Sequence, residues 1–278
     1  MAYQLRTSGT SDQLAIVGAL RHCFLVDEDT PTRVKDYKDS TVDSTLTTGA
    51  SVTFGTQAFK SNSAARYWLP ATGTTSASWV EAVTNLPTWR LCATGESCSI
   101  VMICESAAST AFTPVAFGSN NQNHFACVHT GLGTGFPTLN RNNGSSTAGL
   151  ADPGASKKEY FAVSYTAGTG GVCKFYTSTT NSDSATTESS DQGAPASLAT
   201  VLSFARLGML DNSTTHEQSK IHAILIFNAI LTKTQHDLLF TDFFSTLLES
   251  AGGGSSTTPL NVITPSQGVA FSSAARRF

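Results

Sequence analysis

From about Leu20 onward, short runs of Val, Ile, Phe, Tyr and Ala alternate with clusters of Gly, Asn, Ser and Pro, the strand-and-turn rhythm of a β-sandwich or barrel. The runs predict strands over 22–26, 51–54, 65–69, 97–105, 114–117, 124–129, 159–165, 171–177, 203–207 and 220–228. In the last of these, Ile221 to Phe227 are apolar at almost every position, which predicts a central strand covered on both faces. One helix follows. Thr232 stands three residues before Gln235, the spacing of a capping box, and Leu239, Phe240, Phe243, Phe244, Leu247 and Leu248 then form a wide apolar stripe. Gly252, Gly253 and Gly254 mark its end.

The pattern weakens at both ends. Residues 1–19 are polar and then weakly apolar, and read as an N-terminal arm that is flexible or ordered by a partner. Residues 20–250 read as one body with its closing helix. Residues 251–278 read as a Gly/Ser linker and an interaction tail, with Leu260, Val262 and Ile263 in one apolar patch, Val269 and Phe271 in a second, and Arg276, Arg277 and Phe278 at the end. So short a tail cannot fold alone, so it is either disordered or gains order by adding an edge strand to its own or a neighbouring chain.

Composition narrows the class. The chain has 278 residues, enough for one large β domain, and only 13% are charged, so exposed strand faces rest on neutral polar groups. A net charge of -3 without clustered Lys and Arg argues against nucleic-acid binding, and no apolar span is long enough for a transmembrane helix. No signal-peptide pattern follows Met1, which points to synthesis in a reducing cytosol. There Cys23, Cys92, Cys98, Cys104, Cys127 and Cys173 are expected as buried thiols, since their spacing suits no zinc motif.

Catalytic and metal signatures are missing from the sequence. No Glu-x-Asp-x-Glu run places two carboxylates on one strand face, and no Gly-x-Ser-x-Gly elbow is present. Asp27, Glu28 and Asp29, with Asp36, Asp39 and Asp43, form acidic loops that supply only part of a calcium ligand set. No cofactor, metal or catalytic residue is therefore expected. Sugar recognition needs an aromatic platform beside amides and carboxylates, for which Trp68, Trp79 and Trp89 are the candidates, with loop asparagines such as Asn120 and Asn123 to supply the amides. The competing reading places the tryptophans in the core.

Several segments resemble the laminin G-like branch of the concanavalin A-like jelly-roll superfamily. Asp36 to Leu46 and then Ala65 to Pro70 are similar to its opening loop and its strand ending in aromatic-Leu-Pro; 97–102 is similar to its first long central strand. Lys158 to Tyr165 and Gly170 to Tyr176 resemble its paired strands, with Glu159-Tyr160 and Thr177-Ser178 in place of the usual Trp-His pair and Asp-Gly turn. Arg206 to Gly208, Ile221 to Thr232 and the helix from Lys233 look like its closing strands and helix. The resemblance implies an all-β, antiparallel two-sheet jelly-roll sandwich with one C-terminal α-helix and extended terminal arms. Together with the arms and the low charge, it points to a non-enzymatic bacteriophage virion protein, a capsid decoration or fibre component. Such a protein is made in the host cytoplasm and binds other virion proteins and copies of itself. The alternative is a carbohydrate-binding adhesin or receptor-binding domain whose partner is a host surface glycan.

Overall fold

The computed structural model describes residues 3–71, 80–82, 96–105, 112–120, 123–129, 137–141, 145–148, 158–166, 171–178, 185–193, 204–207 and 220–251. Strands and helices are numbered in chain order. The larger sheet runs β15 (Thr187–Glu188), β14 (Val172–Thr177), β13 (Lys158–Thr166), β8 (Ser97–Glu105), β18 (Lys220–Phe227), β2 (Leu20–Val26) and β3 (Val34–Asp36). Two further pieces attach to it: β16 (Gln192–Gly193) beside β14, and the hairpin of β5 (Thr53–Phe59) and β6 (Asn62–Leu69), which meets β18 where Ile221 faces Trp68. The smaller sheet runs β12 (Ser145–Ala148), β11 (Pro137–Arg141), β10 (Asn123–His129), β9 (Phe112–Asn120), β17 (Phe204–Leu207), β7 (Val80–Ala82) and β4 (Leu46–Thr48). Its pairings, like those of the larger sheet, are antiparallel. Each strand run expected from the sequence overlaps an observed strand.

The strand read as covered on both faces occupies the middle of the larger sheet. Ile221, Ile224 and Ile226 of β18 join Phe24, Ile100, Met102 and Trp68 in a core that also includes Val80 of β7 and Leu207 of β17, so this face packs towards the smaller sheet. Ala223, Leu225 and Phe227 point the other way and lie beneath two helices, α1 (Ser11–Ala19) and α3 (Lys233–Leu247). From Ala223 onward period-two alternation feeds two separate cores, and a register shift between Ile221 and Ala223 sets Ile221 on the sheet-facing side as well.

Helix α3 starts where the capping box places it. Thr232 Oγ1 accepts from the Gln235 amide, and Gln235 Oε1 accepts from the Thr232 amide. Asp242 interrupts the helix with extended backbone, and its carboxylate accepts from the Ser245 amide and hydroxyl, a second cap for the last turn. Leu239, Phe240, Phe243 and Leu247 are the buried stripe.

The N-terminal segment departs from its reading as an arm. Residues 3–19 are built into the body: β1 (Tyr3–Leu5) pairs with β19 (Leu248–Ser250), α1 has its own Thr10–Gln13 capping box, and Ile16 and Val17 are buried in the helix-side core. The physical reason is satisfaction of helix ends. The Arg6 guanidinium donates to the carbonyls of Ser245 and Leu248, which the end of α3 leaves without intrahelical partners. Glu249 in turn accepts from the Thr7 amide and hydroxyl and from the Ser8 hydroxyl. The second expected arm, residues 252–278, lies outside the described residues. Among the described residues no helix is long and apolar enough to cross a membrane.

Candidate functional site

The acidic loops converge on the end of β2, where the chain turns into β3 and the short helix α2 (Ser40–Asp43). The Arg33 guanidinium bridges Asp27, at 2.8 Å, and Asp43, at 3.2 Å. Burial would raise the Asp27 carboxyl, but the bonds from Arg33 and from the Asp29 amide outweigh it and hold the group below its ordinary value. Asp36 is fully enclosed: it accepts from the amides of Cys23, Lys38 and Asp39 and faces His22 Nδ1 at 2.8 Å. Asp39 caps α2, and Glu28 pairs with Arg66 at 2.8 Å. Of the carboxylates weighed as calcium ligands from the sequence, Asp27, Glu28, Asp36, Asp39 and Asp43 are thus engaged with their own protein. Among the described residues no group of three or more His, Cys, Asp and Glu is placed to hold a metal ion.

A second polar cluster is wholly internal. On α3, His236 sits between the Tyr160 hydroxyl, 2.7 Å from Nδ1, and the Ser164 hydroxyl, 3.2 Å from Nε2. Ser164 Oγ is 2.6 Å from Ser99 Oγ, which contacts the Ala229 carbonyl at 2.8 Å and accepts from the Leu231 amide. Proton counting fixes the direction of the chain. A carbonyl only accepts, so Ser99 spends its single proton on Ala229; Ser164 then donates to Ser99; Nε2–H of His236 therefore donates to Ser164, and Nδ1 accepts from Tyr160. Burial pushes the imidazole down to about 3 and raises the Tyr160 phenol, which keeps both neutral. The proton on Nε2 points at the serine, the reverse of a base poised to take a nucleophile's proton, and both side chains are buried, so the chain locks α3 against β13 and β8.

An open recess lies elsewhere, where β2 and β8 begin and β18 ends. Arg21, Glu96, Ser97 and Asn228 line a cavity of about 330 Å³. Sequence reading missed it, because nothing in the separate runs says that these three strands are neighbours.

Of the three candidate tryptophans, Trp68 alone is among the described residues. Trp68 is 0% exposed and packs in the core between the sheets, so the expectation that it offers a ring face to a sugar is corrected: at Ile221, its strand joins the centre of the larger sheet, which buries the indole. Trp79 and Trp89 lie outside the described residues. So do Leu260, Val262, Ile263, Val269, Phe271, Arg276, Arg277 and Phe278. Cys23, Cys98, Cys104 and Cys173 are buried, and burial raises the thiols of Cys23 and Cys173, the latter to about 12.

No family model matches the sequence, and no curated protein matches it. Solved structures do. The botulinum neurotoxin serotype D ligand-binding domain, in complex with N-acetylneuraminic acid, superposes with a TM-score of 0.57 at 13% identity, covering 83% of this chain and 52% of that one. The binding domain of paraclostridial mosquitocidal protein 1 gives 0.56 at 10% identity, with 82% and 53% covered. A botulinum neurotoxin type C structure, described by the dependence of cell entry on two ganglioside molecules, gives 0.53 at 15% identity, with 83% and 52% covered. The chain spans about half the length of these structures, and at such identities the likeness is one of fold: a β-rich architecture similar to that of toxin receptor-binding domains.

Proposed function

We propose that the chain is a non-catalytic carbohydrate-binding domain that recognises cell-surface glycans. The observation that carries this reading is the fold likeness, over 83% of the chain, to a toxin ligand-binding domain seen with N-acetylneuraminic acid. The internal use of the acidic loop and of the His236 chain agrees with it, since both act as structural fasteners. The finer fold assignment, a concanavalin A-like jelly-roll sandwich, belongs to the same reading. A capsid-decoration role and partnership with other virion proteins draw no support from these likenesses, and the tail that would serve them lies outside the described residues. The test is a glycan array probed with the full chain. Retention of a defined set of glycans is expected, and no retention across the array overturns the reading.

A further inference from the structure

We propose that Tyr67, flanked by Gln57, Glu105 and Lys220, binds a neutral pyranose sugar on the outer face of the larger sheet. This rests on the carbohydrate-binding reading and names its site.

The four side chains meet beyond the area that α1 and α3 cover. Glu105 lies two residues past Ile103 on β8, on the same face, and Lys220 is its cross-strand partner on β18. Gln57 of the hairpin joins them: its amide nitrogen donates to Glu105 Oε2 at 2.5 Å, and its amide oxygen accepts from Lys220 Nζ. Lys220 Nζ is 3.7 Å from Glu105 Oε1 and sits over the Tyr67 ring, 5.3 Å from its centroid, so a sugar stacking on that ring would shift the ammonium to its rim. Tyr67 is half-buried and lies across from Gly55 on β5. A Cβ at position 55 would collide with the hydroxyl end of the ring, so glycine there lets the phenol lie down along the hairpin.

The chemistry matches a sugar better than it matches a surface ion pair. The apolar face of a pyranose stacks on an aromatic ring, and its adjacent hydroxyls each need a donor and an acceptor. Gln57 keeps one N–H and one oxygen lone pair, Lys220 keeps one N–H, and Glu105 keeps further lone pairs, all beside one aromatic ring. The recess at Arg21, by contrast, has no aromatic residue in its described lining, and Trp68 is enclosed. Charge decides the class of sugar. Lys220 is matched by Glu105, so the cluster holds no net positive charge to select a carboxylate-bearing sugar over a neutral one.

The experiment uses the full chain. After the array, saturation-transfer NMR is run with free galactose, glucose, N-acetylglucosamine and N-acetylneuraminic acid at millimolar concentration. A neutral pyranose is expected to receive saturation. Tyr67→Ala and Gln57→Ala should each weaken its binding by roughly tenfold or more, while Tyr67→Phe, which keeps the ring, should lose less. Unchanged melting curves show that the variants fold; if Tyr67→Ala does not, Gln57→Ala and Gly55→Ala, which displaces the ring, decide. Wild-type affinity retained in these variants overturns this site and leaves the carbohydrate reading standing. Saturation of N-acetylneuraminic acid alone overturns the neutral-sugar assignment. A wild-type chain that binds nothing on the array and none of the four sugars overturns both.

Discussion

The Tyr160 hydroxyl lies 2.7 Å from Nδ1 of His236, and both side chains are sealed between the larger sheet and α3. Because Nε2–H is spent on Ser164, Nδ1 must stay unprotonated to accept from Tyr160. Protonating the imidazole would take away the acceptor of the Tyr160 proton and bury a charge.

The pH dependence of stability follows. His236 is held at about 3 in the folded chain against 6.5 when exposed, so between these values the unfolded chain binds the extra proton. The stabilisation is complete above pH 6.5 and is lost as pH falls towards 3, by up to about 5 kcal/mol from this group alone. Urea unfolding of the wild type and His236→Phe at pH 7 and pH 4.5 isolates the effect. The gap between the two proteins should narrow in acid, and a constant gap would show that His236 does not carry it.

Glu249 fastens the N-terminal segment. Bonds from the Thr7 hydroxyl and amide, and from Ser8 and Gln4, pull its carboxyl down to about 2 from an ordinary value of 4.5. That fastening is present above pH 4.5 and is lost as pH falls towards 2. Glu249→Gln should therefore raise amide hydrogen exchange in β1 and the first turn of α1 at neutral pH, while the amides of β8 and β18 keep their protection. Equal protection of residues 3–14 in the variant would mean that the Arg6 contacts suffice.

How much of this was legible in the sequence depended on how local each signal was. The Thr232–Gln235 box and the aromatic stripe after it predict the start and buried face of α3, because helix capping and amphipathic period are properties of neighbouring residues, but the glycines at 252–254 miss its end at Leu247, where β19 begins. The Thr10–Gln13 box carries the same signal, yet α1 buries only Ile16 and Val17 and leaves Leu14 exposed, so its stripe is too narrow to stand out. What orders that segment is Arg6 reaching Ser245, a contact spanning 239 residues. The same distance limit hides the proposed site: Gln57 and Lys220 stand 163 residues apart, and only the pairing of β6 with β18 makes them neighbours. Trp68 fails for a different reason. An indole on a strand reads identically as a stacking platform or as core filling until the strand's place in the sheet is known.

Trp68 is accordingly predicted to matter for stability and not for recognition. It is among the largest fully buried side chains, and its indole nitrogen has no hydrogen-bond partner among the described residues. Trp68→Ala should cost about 3–5 kcal/mol through the cavity it leaves. Trp68→Phe should cost less, since no bond to a described residue is lost. Denaturant unfolding gives both values. Glycan retention on the array should be unchanged in Trp68→Phe, and a selective loss of retention there would return the residue to the binding surface.

The acidic loop gives the last prediction. Asp36 accepts three backbone amides and faces His22, and its side chain is fully enclosed, so Asp36→Ala strands buried donors and should destabilise the fold by about 3 kcal/mol or more. Asp27 and Asp43 already share the Arg33 guanidinium, and Asp39 is spent on the start of α2. A calcium ion would have to displace that arginine and still collect six or more oxygens. Millimolar calcium should therefore leave the melting temperature of the wild type where it is. In Arg33→Ala the carboxylates of Asp27 and Asp43 lose their cation, and stability should fall; partial recovery of the melting temperature on adding calcium to that variant, but not to the wild type, is the expected signature. A calcium-dependent rise in the wild type would show that the loop is a metal site after all.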